Sequence, residues 1–248
     1  MDRLIWTAMS GMNDSMVRQR VIASNMANAQ TTGFRAEMLY STPVTLTGPA
    51  LEARALSEGE VKGADMRPGA ISHTGRPLDV ALTGNAMLTL QTEDGGEAYT
   101  RRGDLAVSTS GVLENGDGRP VLGTNGPITV PPGGALAISP DGTIIVTSPD
   151  APNEPQVAGK LKLANPAGST IAKGLDGLFR VVGGGALPDD EGARLQPQAL
   201  EQSNVDPAGV IVQMVEAQRL FDIRTKLVST AREIDESGSA LMRITPNA

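Results

Sequence analysis

Apolar positions recur at helical spacing at the two ends of the chain and not between them. Ile5, Met9, Met12, Met16, Gln19, Ile22 and Met26 follow one another by three or four residues. That spacing lines one face of a helix over residues 1–28, about 40 Å long at the usual rise per residue. The face is narrow and rich in Met, and Ala8, Ala23 and Ala27 beside it permit close helix approach. The helix is expected to end near Asn28, because Thr31-Thr32-Gly33 is turn chemistry and Gly33 takes a left-handed conformation readily.

At the other end Asp206 is a good N-cap and Pro207 is pre-organised for the first helical position. Val210 or Ile211, Met214, Gln218, Phe221, Thr225, Val228 and Arg232 then follow in heptad-like steps, predicting a helix over residues 207–243. Arg219, Asp222, Arg224, Lys226, Glu233 and Glu236 place mixed charge on its other faces. Two narrow amphipathic helices have little to bury their faces against in a lone chain. Both ends are therefore expected to be largely disordered in the monomer and to fold on assembly.

Between the helices, short alternating runs are separated by turns. Leu78–Leu82, Met87–Gln91, Ala98–Arg101, Leu105–Val107, Val112–Leu113, Lys160–Leu163 and Leu178–Val182 read as strands. Asn115-Gly116 and Asp117-Gly118 are hairpin dipeptides, and Ser139-Pro140-Asp141-Gly142 joins Leu136–Ile138 to Thr143–Val146. Residues 41–68 and 183–197 show no clear period and read as connections. The predicted class is α+β: the terminal helices pair into a coiled-coil-like helical domain beside a mainly β middle domain of short antiparallel strands. The corresponding division is residues 1–35 for the N-terminal helix, 36–70 for a connector, 71–199 for the β-rich domain and 200–248 for the C-terminal helix.

Composition narrows the function classes. The chain has 248 residues and a net charge of −7, with no basic patch standing out, which argues against binding nucleic acid through phosphates. It contains no cysteine, so disulfides, thiolate nucleophiles and Cys-based zinc sites are excluded. Leu4-Ile5-Trp6 is followed at once by polar residues, so no signal-peptide core forms, and no apolar run is long enough to span a bilayer. The expectation is a cytosolic chain, or one exported by a route that reads no cleavable signal.

Catalytic chemistry finds little purchase. His73 is the only histidine and reads as a polar loop residue, having no second histidine or cysteine to share the work. Glu114-Asn115-Gly116-Asp117-Gly118-Arg119 matches no phosphate- or calcium-binding pattern and reads as a turn. Gly183-Gly184-Gly185 reads as a flexible joint and Asp189-Asp190-Glu191 as a solvated acidic loop. A polysaccharide hydrolase working through carboxylates such as Asp79 or Asp141 would need two acids in a cleft, with aromatic platforms the middle region lacks. No enzyme activity, cofactor or metal is expected. A secreted β-rich binding module with helical oligomerisation ends is the non-enzymatic alternative. The Met face reads as a packing surface rather than a membrane-binding one, since only Arg3, Arg18 and Arg20 are basic there.

Two runs of small and polar residues flank the helices: Ser24 to Arg35, containing Asn25, Ala27, Asn28, Gly33 and Phe34, and Leu200 to Asp206, containing Ser203, Asn204 and Val205. Asn side chains of this kind satisfy backbone groups. One reading makes the runs helix caps; the other makes them hold the helix ends in register with neighbouring subunits.

The stretch Val21 through Phe34, an Asn-rich helix end running into Thr32-Gly33-Phe34, resembles the N-terminal signature of bacterial flagellar rod and hook proteins. Leu200–Asp206, continued by Met214 through Phe221, resembles the C-terminal signature of the same family. Pro77 through Gly84, Tyr99 through Gly103 and Gly126-Pro127-Ile128 agree with its middle, in the right order over nearly the whole chain. The opening Met1 through Gly11 and the length resemble the proximal-rod branch most, with the distal-rod branch as the alternative. Ser24, Trp6 and Asp206-Pro207-Ala208-Gly209 depart from the usual pattern.

The resemblance implies a structural, not catalytic, protein of the basal-body rod. It implies terminal helices packed into a tubular core with the β region outside, partners that are copies of the chain and other rod subunits, and passage through the flagellar type III export apparatus without cleavage of a signal peptide, to a rod that crosses the periplasm and transmits torque. Ile5, Met9, Met16, Ile22 and Met26 would then pack against Ile211, Met214, Phe221 and Val228, within and between subunits. The expected assembly interface adds Asn25, Ala27, Asn28, Gly33, Phe34, Ser203, Asn204, Val205, Asp206 and Gln218.

Overall fold

The computed structural model describes residues 2–45, 55–148 and 154–242, and the chain divides into two compact units. One gathers segments of Met1–Ala27, Glu37–Lys62 and Asp206–Ala248; the other is Asn28–Ala36 with Gly63–Val205. The class is α+β, with short strands that pair antiparallel throughout the second unit.

In the first unit, helix α1 spans Asp2–Ala27 and helix α2 spans Pro207–Met242. The start of α2 follows from its cap. The Asp206 carboxylate accepts from the Ala208 N–H at 3.1 Å and the Asp206 carbonyl from the Val210 N–H at 3.0 Å, while Pro207 brings no N–H that needs a partner. Between the helices Arg224 donates to the Gly11 carbonyl and the Ser15 hydroxyl and lies 3.5 Å from the Asp14 carboxylate. The guanidinium lies over Gly11 at ordinary van der Waals distance. Val210, Ala217 and Ala231 are buried on α2; Asp14, Ser15, Val21, Ile22 and Asn25 are buried on α1. Val210, Ala217, Arg224 and Ala231 are each seven residues apart, so one line of α2 carries small side chains and a cation.

The segment read as an aperiodic connector holds two strands instead, Glu37–Thr45 and Ala55–Ala64, which form a two-stranded sheet. Their Ser, Thr and Gly content supplies no apolar alternation for a sequence reading to catch. Asn25 ties this sheet to α1: its amide accepts from the Glu37 N–H at 2.8 Å and donates to the Glu37 carbonyl at 3.1 Å, as a paired strand residue would.

The second unit is built from hairpins. Met87–Gln91 pairs with Glu97–Thr100 at the centre of a five-stranded sheet that also holds Leu163–Ala164, Phe179–Val181 and Ile171–Lys173. Ala135–Ile138, Thr143–Thr147 and Gln156–Lys160 form a three-stranded sheet. Its first turn is closed as expected: Gly142 N–H donates to the Ser139 carbonyl at 2.9 Å, and the Thr143 hydroxyl donates to Asp141 at 2.7 Å. The turn at Asn115 is likewise local, the Asn115 side chain accepting from the Asp117 and Arg119 N–H groups. Val80, Leu82, Leu88, Leu90, Leu105, Leu113, Val121, Ile144 and Leu161 fill the core. The predicted strand Leu78–Leu82 is shorter, Val80–Leu82, and its partner Leu195–Pro197 comes from the second supposed connection. Ala199–Glu201 pairs with Ile71–His73. Gln198, between these two late strands, holds a left-handed φ of 56°, and its carbonyl accepts from the Thr74 and Gly75 N–H groups.

Tyr99 is completely buried beside Met87 and Phe179. Its hydroxyl donates to Glu97 at 2.9 Å and accepts from the Leu187 N–H at 2.7 Å. Burial, with the Glu97 carboxylate adding to it, pushes its pKa up to about 12 from 10.0. The folded state thus holds a proton that the unfolded state loses first. The corresponding stability is complete below about pH 10 and is lost as pH rises through about 12. Denaturant titrations across that window should show a fall of about 2–3 kcal/mol. Tyr99→Phe should flatten that dependence while lowering stability at neutral pH by about 1–3 kcal/mol, because the Leu187 N–H loses its acceptor.

Candidate assembly interface

Of the residues expected to pack within and between subunits, Met9, Met16 and Met26 of α1 and Ile211 and Met214 of α2 are not buried in the single chain. Met9 and Met16 are 47% and 48% exposed, and Met26, Ile211 and Met214 also lie largely open. The reason is the seam itself. Arg224 meets Gly11 and Ser15 across it, Gln19, Ile22 and Ala23 share a groove with Met214, Ala217 and Phe221, and Met9, Met16 and Met26 stay open. Ile22 is buried, and with Met214, Ala217, Gln218 and Phe221 it lines a groove of about 430 Å³. Val228 is half-buried and Gln218 exposed; the side chain of Ile5 lies outside the described residues. Ala27, the last residue of α1, is exposed.

Among its charged residues this unit also leaves large apolar side chains open. Met9, Met12, Met16, Gln19, Ala23 and Met26 continue the three-four spacing along α1 without being buried. On α2, Val212, Ile223, Leu227 and Ile234 are 55–58% exposed, Leu227 and Ile234 flanking the buried line at three- and four-residue steps from Arg224 and Ala231. A helix that carries apolar side chains well beyond its buried line has more apolar surface than its own chain covers.

The flanking polar runs are anchored in the second unit, apart from Asn25 and Asp206, already placed. Gly33 N–H donates to the Glu201 carbonyl at 2.7 Å, and Asn204 N–H to the Phe34 carbonyl at 3.3 Å. The Asn204 amide accepts from the Ala36 N–H at 2.7 Å and donates to the Asp65 and Arg67 carbonyls at 2.8 and 2.9 Å. Neither Asn25 nor Asn204 caps a helix; each satisfies backbone that has no strand partner. The Lys173 ammonium lies 3.4 Å from the Phe34 ring centroid and donates to the Arg35 carbonyl at 3.0 Å. Asn28 accepts from Thr31, and the Ser203 hydroxyl accepts from the N–H of buried Val205.

Sequence reading missed the centre of this junction. The carboxylate of Glu201 is bound by the guanidinium groups of Arg35 and Arg101, each at 2.6 Å, and the three side chains are 1–2% exposed. Burial holds the Arg35 pKa below the ordinary arginine value, against the pull of Glu201. A charged residue at the inward position of a strand, as Glu201 is beside Ala199 and Leu200, was the one signal available. Asp65 is a separate pair at the rim: its hydrogen bonds from Arg67 hold its carboxyl below the usual range.

The residues weighed for chemistry are placed elsewhere. His73 is exposed on its strand, 3.3 Å from the Gln196 amide nitrogen. Asp79 is buried and accepts from the Thr74 hydroxyl at 2.6 Å, and the Thr143 hydroxyl bond keeps the Asp141 carboxyl low. Asp190 is held by Asn165 and the Gly192 N–H. Among the described residues no three His, Asp or Glu side chains are placed to share a metal ion, and no helix is long and apolar enough to cross a membrane.

Three family models match the chain in order. Residues 5–35 match the flagella basal body rod protein model, 81–146 the flagellar hook protein FlgE/F/G D1 domain, and 196–241 the flagellar basal body rod FlgEFG protein C-terminal model. The flagellar basal-body rod protein FlgF of Salmonella typhimurium strain LT2 is 39% identical over 249 residues, covering 98% of this chain and 99% of its own length. FlgF of Escherichia coli K12 is 39% identical, with 97% of each chain covered. FlgG of Bacillus subtilis strain 168 is 30% identical, covering 94% of this chain and 96% of its own.

Gly33 tests the junction. Its φ is +67°, and a Cβ there would lie 2.4 Å from the Arg101 carbonyl carbon. Gly118 has a similar φ of +75° with nothing within 4 Å. Gly118→Ala should cost about 1–2 kcal/mol, the left-handed backbone strain alone. Gly33→Ala should cost more by at least about 2 kcal/mol, because the Arg101 backbone must shift. Equal losses in thermal or denaturant unfolding would mean that the close approach carries no weight.

Proposed function

Starting from the chain's membership of the flagellar basal-body rod protein family, as a structural rod subunit, we propose that it works by packing its two terminal helices with those of copies and neighbouring rod subunits. The observation that carries this reading is the set of large apolar side chains left open on α2, Ile211, Val212, Met214, Val215, Ile223, Leu227 and Ile234, together with Met9, Met16 and Met26 of α1. Burying one such Val, Leu, Ile or Met side chain contributes about 1.5–3 kcal/mol, so a few per contact offset the cost of ordering a subunit.

In this reading the helices form the coiled-coil-like wall of a tube that transmits torque, in the proximal part of the rod. Residues 1–35 and 200–248 serve that axial core, 36–70 connect, and 71–199 form the outer β-rich part. Interface residues are Met9, Met16, Ile211, Met214, Gln218, Phe221 and Val228, with Ile5 and Ala27 alongside, while Ile22, Asn25, Asn28, Gly33, Phe34, Ser203, Asn204, Val205 and Asp206 set the geometry behind them. The chain reaches the periplasm through the flagellar type III export apparatus without a cleaved signal peptide. The ends gain their full order on assembly, as exposed apolar helix faces favour.

Deleting the gene and imaging basal bodies by electron cryo-tomography tests the role. Truncated or missing rods and lost swimming, both restored by the intact gene, are expected. A chain carrying Ile223→Glu and Leu227→Glu should fail to restore either while keeping the purified protein's secondary structure, since both side chains already face water there. Complete rods and normal swimming with that variant would refute packing through this face.

A further inference from the structure

Glu201 is a buried carboxylate with every acceptor position in use. Its Oε1 accepts from Arg35 Nη2 at 2.6 Å and from the Gly69 N–H at 2.9 Å. Its Oε2 accepts from Arg101 Nε at 2.9 Å and Nη2 at 2.6 Å. Four donors occupy the four acceptor positions of a carboxylate. Arg101 spends its remaining donors on the carbonyls of Leu82, Gly84 and Ala86. Arg35 donates to the Arg67 carbonyl, and its Nε has no acceptor. Two buried cations therefore share one buried carboxylate, and the other anion acting on Arg35, Asp65, sits at the rim and accepts its hydrogen bonds from Arg67.

These partners are far apart in the chain, and the anion comes last. Arg101 directly follows the strand Glu97–Thr100, so the central hairpin takes the Arg101 guanidinium inward when it buries Leu88 and Leu90. The same late segment supplies Leu195–Pro197 and Ala199–Glu201, which among the described residues are the strand partners of Val80–Leu82 and Ile71–His73. A chain without that segment would have to bury Arg101 and Arg35 without the one carboxylate that bonds both, which is the costly form of a buried ion pair, and would leave both early strands without these partners.

We propose that Glu201 is a folding gate: the β-rich unit closes only when the segment Leu195–Val205 arrives and its carboxylate neutralises Arg35 and Arg101. The core hairpins do not reach a protected state ahead of it. Incomplete chains, or chains whose C-terminal part is held away, stay open, so the unit folds as a whole. This inference rests on the charge accounting inside one unit and stands apart from the rod assignment.

The test is pulsed hydrogen exchange during refolding of the full-length protein from denaturant. The amides of Gly33, Gly69 and Gln202, which bond Glu201 or pair its strand, should gain protection in the same phase as those of the hairpin Met87–Thr100. Early protection of the hairpin, with Gly33, Gly69 and Gln202 still exchanging, would overturn the proposal. Two full-length variants separate charge from packing. Glu201→Gln should slow refolding by about a hundredfold, with the unfolding rate changed far less. Arg35→Met leaves one cation to one anion and should refold at least as fast as the wild type. Slowing of Arg35→Met to the rate of Glu201→Gln, or a Glu201→Gln effect confined to unfolding, would contradict the gate. Should Glu201→Gln not fold at all, the wild-type labelling order decides.

Discussion

A single carboxylate, that of Glu201, holds together segments that lie far apart in the sequence. It receives Arg35 from just after the first helix and Arg101 from the end of the central hairpin, and it sits on the strand that leads toward the second helix. Around it the backbone is crowded enough that Gly33 lies against Arg101 with no room for a side chain. Buried ion pairs are weak sources of net stability, because desolvation offsets their attraction. Their consequence is conditional: removing one partner leaves a charge in a place where it is not tolerated. The cluster therefore fixes which chain segments must be present together more than it adds to the total free energy. The segments that continue into both helices are in this way tied to the β-rich unit.

The helical unit obeys a different constraint. Its internal seam is made of Gly11, Ser15, Ala217 and Ala231, with Arg224 bonded across it to Gly11 and Ser15. Small residues and a bonded cation bury little apolar area. The large apolar side chains, the Met line of α1 and Ile223, Leu227 and Ile234 of α2, are left outside. For a chain that stays alone this is a poor use of hydrophobic residues and an aggregation risk. For a structural subunit of the rod, the same arrangement fits the packing proposed above.

Much of this was readable from the residues. The cap of α2 at Asp206 and Pro207, the end of α1 before the Thr31–Gly33 turn, the left-handed Gly33 and the Ser139–Gly142 hairpin follow from local chemistry, and local chemistry is what a sequence displays. Which helix face turns inward was not readable, because α1 carries two lines at heptad spacing: Gly11, Arg18 and Asn25, and Met9, Met16 and Ala23. The apolar line looked like the buried one; the structure buries Asp14, Ser15, Val21, Ile22 and Asn25 and leaves Met9, Met16 and Ala23 open. The strands Glu37–Thr45 and Ala55–Ala64 escaped notice because they are rich in Ser, Thr and Gly. The Arg35–Glu201–Arg101 cluster escaped because its members are about a hundred residues apart and each alone looks like an ordinary surface charge. Asn25 and Asn204 read as polar residues needing partners, and their partners are the first strand residue Glu37 for Asn25 and the backbone of Ala36, Asp65 and Arg67, just outside the strands, for Asn204.

The account makes assembly the event that covers the outer face of α2, and the chain offers a clean probe because it contains no cysteine. The most direct measurement is the reactivity of one introduced thiol, Leu227→Cys, toward a small thiol reagent, in the purified subunit and in isolated basal bodies from a motile strain carrying that variant. The account predicts rapid labelling in the free subunit and protection in the basal body. Equal labelling in both would show that this face stays in water after assembly and would contradict the proposed packing.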